Sequence, residues 1–516
     1  MVNLTFYGGV NEIGGNKILL EAEGTSIFLD FGISYGRKGL FYEEFLCPRG
    51  VRGLLDPLVM GLLPPIKGIY RSDLEIPNAK GWECVSKTQN VREVGLDGVF
   101  LSHAHLDHSG YISFLRSDIP IFCSPMTAFL TKAIQDSGKT DFETEVSYLV
   151  PKKCEEECIK STNYRQVPSK QRPFKLLYED ELSAEAKNFW ETTPESRDLD
   201  YIPLEFKDSI KNLNLRGFPV DHSLWGATAI AVETSAGWII YTGDLRLHGA
   251  KGHTTCEFIK KASQLEPLAL ICEGTNVGEN IMTSEEEVYE NSLKAVKETK
   301  NMVIADFGPR NIERLLTFRK IAKETGRKLV LLSKDVYLLE SMRFGDSSIK
   351  DFSADPVCCL YNKIKGSVNK WEREILERFS DKLVKPKDIA HNQDKYILCM
   401  SFWDLNELPD LMPKEKSIYI YSTCEAFNEE MAISFERLRN WLDYFNLTLV
   451  GDPDKNEKGF HASGHIIGPQ LLELIRKISP KYLFPVHTEK PEFFKENLAG
   501  EMKVILPEYG NLLEIG

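Results

Sequence analysis

Short apolar runs separated by glycine turns open the chain. Residues 4–7, 17–21 and 26–30 are β-type runs, with Gly8 and Gly9 after the first and Gly32 after the third, which predicts an N-terminal β-meander. The pattern then lapses. Residues 36–96 are rich in glycine, proline and aromatics without a clear period, and they read as a long insertion or lid, because structureless stretches of that length inside a compact domain are usually functional or mobile. Strand character resumes at residues 98–102. Residues 142–205 are polar, charged and proline-containing, which suggests a second insertion. Apolar runs follow at 227–234, 238–242 and 267–272, each ending in a polar or glycine turn, as consecutive sheet strands with functional residues at their ends would.

From about residue 284 the pattern changes. Residues 284–299 read as a helix whose start carries Ser284 and Glu287 in capping-box spacing. A strand at 302–305, a helix at 311–325, a strand at 328–332, further helices, a strand at 417–421 and a helix at 429–444 follow. Such alternation implies an α/β domain with a parallel sheet. Strand and turn character returns around 481–486. The chain therefore enters one domain (1–275), leaves it for a second (276–460) and returns (461–516).

Composition narrows the class only by exclusion. With 516 residues, 42% hydrophobic and 27% charged, the chain is long enough for two or three domains and resembles an ordinary water-soluble protein. Residues 1–10 lack a basic start followed by an apolar core, so no signal peptide is read there, and the most apolar stretch, 54–65, is broken by Asp56 and two prolines. It falls short of the roughly 20 residues a helix needs to cross a bilayer. Eleven cysteines without an export signal read as reduced thiols in a cytoplasmic protein. A net charge of −13 argues against a surface that coats nucleic acid wholesale, yet it leaves room for a locally basic groove.

Histidine placement carries the chemistry. The chain has ten histidines, and all but His248, His253 and His391 fall in compact motifs: His103, His105 and His108; His222; and His461, His465 and His487. The run Ser102-His103-Ala104-His105-Leu106-Asp107-His108 follows an apolar strand, so its imidazoles and carboxylate sit on one strand-to-helix loop and can face one point. Nitrogen and carboxylate donors in that mix suit zinc or a neighbouring first-row metal. A lone histidine would more often be a core residue; four ligand-type residues within six positions are not explained that way.

This HxHxDH run is the signature of the metallo-β-lactamase superfamily, and the resemblance extends further. Val220-Asp221-His222-Ser223 resembles its third-motif histidine, and Tyr241-Thr242-Gly243-Asp244 its bridging aspartate. The resemblance implies an αββα sandwich in which His103, His105 and His222 bind one ion, Asp107 and His108 bind a second, and Asp244 bridges them. The segment between Asp244 and the last histidines resembles the inserted β-CASP domain of nucleic-acid-processing members. Cys272-Glu273-Gly274-Thr275-Asn276 resembles their acidic motif, where Glu273 would orient a metal-binding histidine and support His487. His461-Ala462-Ser463-Gly464-His465 resembles a second motif with His465 near the scissile phosphate, and Pro485-Val486-His487 a third with His487 completing the second ion's ligands. Histidine at that last position favours RNA-acting over DNA-acting members. Together with Gly8-Gly9-Val10-Asn11-Glu12-Ile13-Gly14, these motifs resemble ribonuclease J-like proteins most.

The reading this supports is a ribonuclease in which a metal-bridged hydroxide attacks phosphorus. Asp107, Asp244, Glu273 and His465 would be its catalytic residues, with two divalent ions, zinc first and manganese second, and a homodimer expected from resemblance. Asp306-Phe307-Gly308-Pro309-Arg310-Asn311 lies between a strand and a helix, where unpaired N–H groups favour an anion. Arg310, Asn311 and Arg314, with His461, Ser463 and Gly464, are the candidate RNA contacts. Tyr35, Tyr42, Tyr70, Trp82 and Trp225 are candidate base-stacking residues, although aromatics more often pack. Two other readings stay open: a hydrolase of DNA, a small phosphodiester or a thioester, and a catalytically silent RNA-binding scaffold. The resemblance leads one to expect a separate C-terminal domain after the catalytic core in bacterial members, whereas the sequence here runs about thirty residues beyond His487, and both insertions are longer than the family leads one to expect.

Overall fold

The structure is a computed structural model that describes the chain apart from residues 44, 78, 139–141, 179–180, 309, 424–428 and 456 and the side chains of 429–431. It forms two compact units. The first comprises Met1–Leu247, Lys251–Asn280 and His465–Gly516, and the second His248–Ala250 and Ile281–Gly464.

Two sheets make the first unit. The N-terminal meander forms as its alternation suggests, with Val2–Phe6, Ile18–Ala22 and Thr25–Leu29 antiparallel and Val2 opposite Ala22. Gly98–Phe100, Ile121–Cys123, Phe174–Leu176 and Glu205–Phe206 extend that sheet on one side, and Leu512–Ile515 closes the other, giving eight strands. The second sheet has seven: Ser209–Ile210, Leu213–Pro219, Thr228–Thr234, Gly237–Tyr241, Ala269–Cys272, Tyr482–Pro485 and Lys503–Val504. One core lies between the inward faces, with Leu4, Phe6, Leu20 and Leu29 meeting Ile230, Val232, Ile239 and Phe484. A second core joins the outward face of the seven-stranded sheet to helices Gly252–Ser263 and Gly468–Ile478 through Ile240, Leu270, Phe258, Leu471 and Ile475. Helix Pro125–Asp136, with ten buried residues, belongs to the other layer. The αββα architecture expected from the motifs is the one found.

Neither supposed insertion is structureless. Residues 36–96 contain the one-turn helices Tyr35–Gly39, Leu55–Val59 and Gly81–Val85, and Leu58, Leu62, Leu63 and Leu74 are buried beneath them. Helices of a single turn carry no 3.6-residue repeat, so this order leaves no period to read. Arg71 fastens the segment: its guanidinium reaches Asp73 at 2.9 Å and Glu145 at 2.8 Å, and its N–H donates to Phe114 O. Residues 142–205 contribute Phe174–Leu176 and Glu205–Phe206 to the main sheet itself. Strands of two or three residues are too short for alternation to show.

The second unit is a seven-stranded, all-parallel sheet in the order Leu383–Val384, Cys358–Tyr361, Lys328–Leu331, Tyr396–Cys399, Val303–Asp306, Ile418–Tyr421, Thr448–Val450. Its helices start where capping side chains stand. Ser284 accepts from Glu287 N ahead of Glu285–Glu298, and Asn311 from Arg314 N ahead of Ile312–Glu324. Among the described residues no helix is long and apolar enough to cross a membrane.

Candidate metal centre

Strand ends build the centre. A side chain just past the last ladder bond is released from the alternation that sends its neighbours into the core. Ser102 and His103 follow Gly98–Phe100, Asp221 and His222 follow Leu213–Pro219, Asp244 follows Gly237–Tyr241, Glu273 follows Cys272, and His487 follows Tyr482–Pro485. Both sheets therefore deliver donors to one place. The short helix Leu106–Ser109 turns Asp107 and His108 toward it. Close backbone approach sets that turn: a Cβ on Gly32 would stand 1.7 Å from Asp107 O, and one on Gly14, at φ +78°, would stand 2.8 Å from the Asp107 side chain.

Donor atoms converge in overlapping groups. His103, His105, His222 and Asp244 form one, and Asp107, His108 and His487 another. Asp244 also groups with Glu273, His465 and His487, so it stands among both sets. His103 Nε2 lies 2.9 Å from His105 Nδ1, which lies 3.2 Å from His222 Nε2. Asp244 Oδ2 is 3.1 Å from His108 Nε2, 3.6 Å from His103 Nε2 and 3.9 Å from His222 Nε2. His487 Nε2 is 3.3 Å from both His108 Nε2 and Asp107 Oδ2. Buried ring nitrogens facing one another this closely want a shared cation. Asp244 Oδ1 agrees, being buried without a hydrogen-bond partner among the described residues.

Partners behind the ligand-type residues set their ring orientation. Asp30, wholly buried, lies 2.7 Å from His108 Nδ1 and accepts 2.7 Å bonds from Ser102 N, Ser102 Oγ and the Tyr241 hydroxyl. Ser102 Oγ is in turn 3.0 Å from His103 Nδ1. Thr275 Oγ1 sits 2.8 Å from His487 Nδ1. Glu273 corrects the expectation that it supports His487: its Oε2 is 2.9 Å from His465 Nδ1, while Oε1 accepts from Leu245 N at 2.7 Å. Asp30, Thr275, Ser102 and Tyr241 escaped sequence reasoning. The one available signal was Asp30's place between a strand and Gly32.

The electrostatics follow from burial and crowding. Burial, with the positive charge of neighbouring His108 and His105, holds His103 well below the ordinary histidine range. Burial alone would raise Asp244, but His108, His487 and His465 outweigh it and hold the carboxyl well below its usual range. Asp107 is likewise held down against burial by His108 and His487. For His465 burial pulls downward, yet Glu273, Asp244 and Asp107 prevail and push it up to about 9.

The candidate RNA contacts other than His465 lie in the second unit. Asn311 caps its helix, His461 Nδ1 is 3.4 Å from Ser422 O, and Ser463 O is 2.8 Å from His248 Nε2. Arg310 and Gly464 are part-exposed, and Pro309 of the same motif lies outside the described residues. Arg314 does not fit its expected role. It is completely buried, ion-paired with Glu285 at 3.2 Å and donating to Ser422 O at 2.6 Å, so its charge is already satisfied inside the fold. Of the candidate stacking residues, Tyr70 is buried with its hydroxyl on Pro64 O, and Trp82 packs against it. Lys251 covers Trp225 at 3.9 Å, Tyr42 is part-exposed, and Tyr35 is 48% exposed.

Comparison with known proteins agrees with this arrangement. The family described as "Zn-dependent metallo-hydrolase RNA specificity domain" matches residues 457–507, the stretch holding His461, His465 and His487. Ribonuclease J of Mycoplasma pneumoniae is 22% identical over 500 residues, covering 94% of this chain and 67% of that protein. Ribonuclease J 2 of Streptococcus pyogenes is 22% identical over 537 residues, covering all of this chain and 75% of its own length. Ribonuclease J of Pyrococcus abyssi is 21% identical over 511 residues, with 95% and 90% covered. A crystal structure of a protein of unknown function from Enterococcus faecalis V583 superposes with a TM-score of 0.68 at 23% identity over 99% of both chains, which establishes the shared fold. With histidine and carboxylate donors converging at the ends of two sandwiched sheets and a metallo-hydrolase RNA specificity domain matched near its end, the chain is similar to ribonuclease J proteins along nearly its whole length.

Proposed function

We propose that this protein is a metal-dependent ribonuclease that hydrolyses RNA phosphodiester bonds at the centre around Asp244. The observation that carries the reading is the pair of donor groups, His103–His105–His222 and Asp107–His108–His487, on either side of one buried aspartate whose Oδ1 has no hydrogen-bond partner among the described residues. Two divalent ions, zinc first and manganese second, would activate a water there and stabilise charge developing on the phosphate. The chain's own residues do the rest. Asp30 and Thr275 orient His108 and His487, and Glu273 aligns His465. His465, held through Nδ1 by Glu273, would stand on the leaving side as the group that binds the phosphate or delivers a proton there. Relatives described as ribonuclease J, and a matched family described by RNA specificity, favour RNA over DNA or a small ester. The inserted parallel-sheet unit would be the β-CASP domain. Arg310, Asn311, His461, Ser463 and Gly464 would meet the substrate there. A homodimer is the expected assembly, to be read by sedimentation.

Elemental analysis should return about two ions per chain. Labelled RNA, DNA and bis(p-nitrophenyl) phosphate compared side by side should show RNA cleaved fastest. Equal or faster cleavage of DNA would overturn the substrate assignment. Mapping products from 5′-monophosphate, 5′-triphosphate and 5′-hydroxyl RNAs separates trimming from internal cutting.

A further inference from the structure

The parallel sheet of the second unit holds a cavity of about 650 Å³ at the carboxyl ends of its strands, a size typical of small-molecule sites. Its lining follows the ends of five neighbouring strands, among them Lys328–Leu331 and Tyr396–Cys399, which lie side by side. The first of these strands leads on to Cys358–Tyr361 toward one edge of the sheet, and the second to Ile418–Tyr421 toward the other. In open α/β sheets ligands bind at such a point, where successive connections depart in opposite directions.

Three features of the lining select a ligand. Lys334 faces the cavity from the first turn of helix Ser333–Met342, and among the described residues no acceptor forms a hydrogen bond or ion pair with it. The other lysines of the wall are neutralised: Lys363 lies 3.1 Å from Glu407, and Lys365 lies 2.7 Å from Glu372. Lys334 thus adds a positive charge without an acceptor to a helix N-terminus that itself favours anions. Trp371, Phe402 and Trp403 supply flat apolar surface on the same lining, and Trp403 is 76% exposed. A tryptophan left that open inside a concave wall offers a face for another ring.

The carboxyls present are already engaged. Asp306 accepts the Tyr419 hydroxyl at 2.6 Å, Asp335 accepts Leu332 N at 3.0 Å, and Asp404 accepts Ser401 N and Oγ at 3.1 and 2.9 Å. Burial raises Asp306 and Asp335 to about 7, which lessens their repulsion of an incoming anion near neutral pH.

We propose that this cavity binds a nucleoside phosphate, with the phosphate against Lys334 and the first turn of its helix and the base against the Trp371–Trp403 wall. Every lining residue belongs to the second unit, and none is a candidate metal ligand. The inference is therefore separate from the metal centre, although Asp306, Phe307 and Gly308 of the lining belong to the segment proposed to meet RNA.

Calorimetric titration of the full chain with AMP, adenosine, orthophosphate and a short oligoadenylate tests it. AMP should bind. Lys334→Ala and Lys334→Gln should weaken AMP about tenfold or more while leaving adenosine unchanged, and Trp403→Ala should weaken AMP and adenosine alike by about tenfold. Affinity for AMP points to a free nucleotide. Lys334-dependent affinity for the oligoadenylate alone assigns the site to a nucleotide unit of RNA. AMP and oligoadenylate affinities untouched by all three substitutions, or no affinity for either, overturn the proposal. Metal content and bis(p-nitrophenyl) phosphate hydrolysis read the other centre. An inactive wild type there would sink the ribonuclease reading without altering the titrations.

Discussion

Asp30→Asn isolates what orientation contributes to the metal centre. Asp30 binds no ion in this reading, yet its Oδ2 meets His108 Nδ1, Ser102 Oγ and the Tyr241 hydroxyl, all at 2.7 Å, while Oδ1 takes Ser102 N. Asparagine keeps the shape and one carbonyl acceptor for Ser102 N, but it turns an amide N–H₂ toward the three groups gathered at Oδ2. The two hydroxyls can rotate to accept. His108 Nδ1–H cannot, because it needs the acceptor to leave Nε2 free for the ion. One hydrogen bond to a charged group is therefore lost outright, worth about 1.5–3 kcal/mol. The unpinned ring should also weaken metal binding by about 10–100-fold, the usual effect of losing such a support.

Urea unfolding of the metal-free protein measures the first quantity, and competition against a chromophoric chelator the second. The expected outcome is one ion bound at near wild-type affinity through His103, His105 and His222, and the other bound weakly. Tyr241→Phe, which removes a single donor from Oδ2, should show a smaller shift in the same direction. Two ions held at wild-type affinity by the Asp30→Asn protein would refute the claim that Asp30 sets the His108 ring.

Other variants separate site from scaffold. Asp244→Ala and His105→Ala should reduce RNA cleavage to background and lower metal content, with circular dichroism and Tm close to wild type; a metal-free variant cleaving at the wild-type rate would end the mechanism. Arg314→Ala should destabilise by about 3–5 kcal/mol in urea, because it removes the ion pair made to the buried Glu285 carboxylate. It should leave the salt dependence of RNA affinity intact, whereas Arg310→Ala should lower that log–log slope by about one. Lys17 is wholly buried, donates to Gly15 O and Gly32 O at 2.8 Å, and is lowered by burial from 10.5 to about 7. Between those values the unfolded chain holds a proton that the native protein lacks, so native stability rises with pH. Wild type should gain about 2 kcal/mol on Lys17→Met between pH 7 and 9, read by paired denaturation curves, and parallel pH profiles would contradict a buried, deprotonated lysine.

The fold was legible wherever an element was long enough to repeat its pattern. The meander alternates, the strands Thr228–Thr234 and Ala269–Cys272 formed within the apolar runs that announce them, and Gly237–Tyr241 formed one residue ahead of its run at 238–242. Helices Glu285–Glu298 and Ile312–Glu324 begin after capping residues visible in the sequence. Residues 36–96 and 142–205 were opaque for the converse reason. A helix of five residues or a strand of three satisfies its backbone locally and buries apolar side chains one at a time, so order leaves no period. Leu58, Leu62 and Leu74 are core residues all the same.

Arg314 shows where spacing misleads. Arg310 and Arg314, four residues apart, would share a face of a helix that held both, but the helix starts at Ile312 after its Asn311 cap, so Arg310 stands outside it and Arg314 alone follows the helical period. That period turned it inward, against Glu285 and Ser422 O. At the metal centre the division is chemical. Histidines, few in the chain and clustered in short motifs, mark the positions that would face an ion: seven of ten lie in the motif stretches, and six of those, all but His461, stand in the converging donor groups. The groups that aim them, Asp30, Ser102, Tyr241 and Thr275, are common residue types; Ser102 adjoins His103, but Asp30 and Thr275 come from segments distant in sequence from His108 and His487, and only the fold brings them behind the rings. Sequence thus exposes the atoms that would bind metal and hides the bonds that hold those atoms still. Those hidden bonds are the ones that Asp30→Asn and Tyr241→Phe break while leaving every ligand-type residue in place.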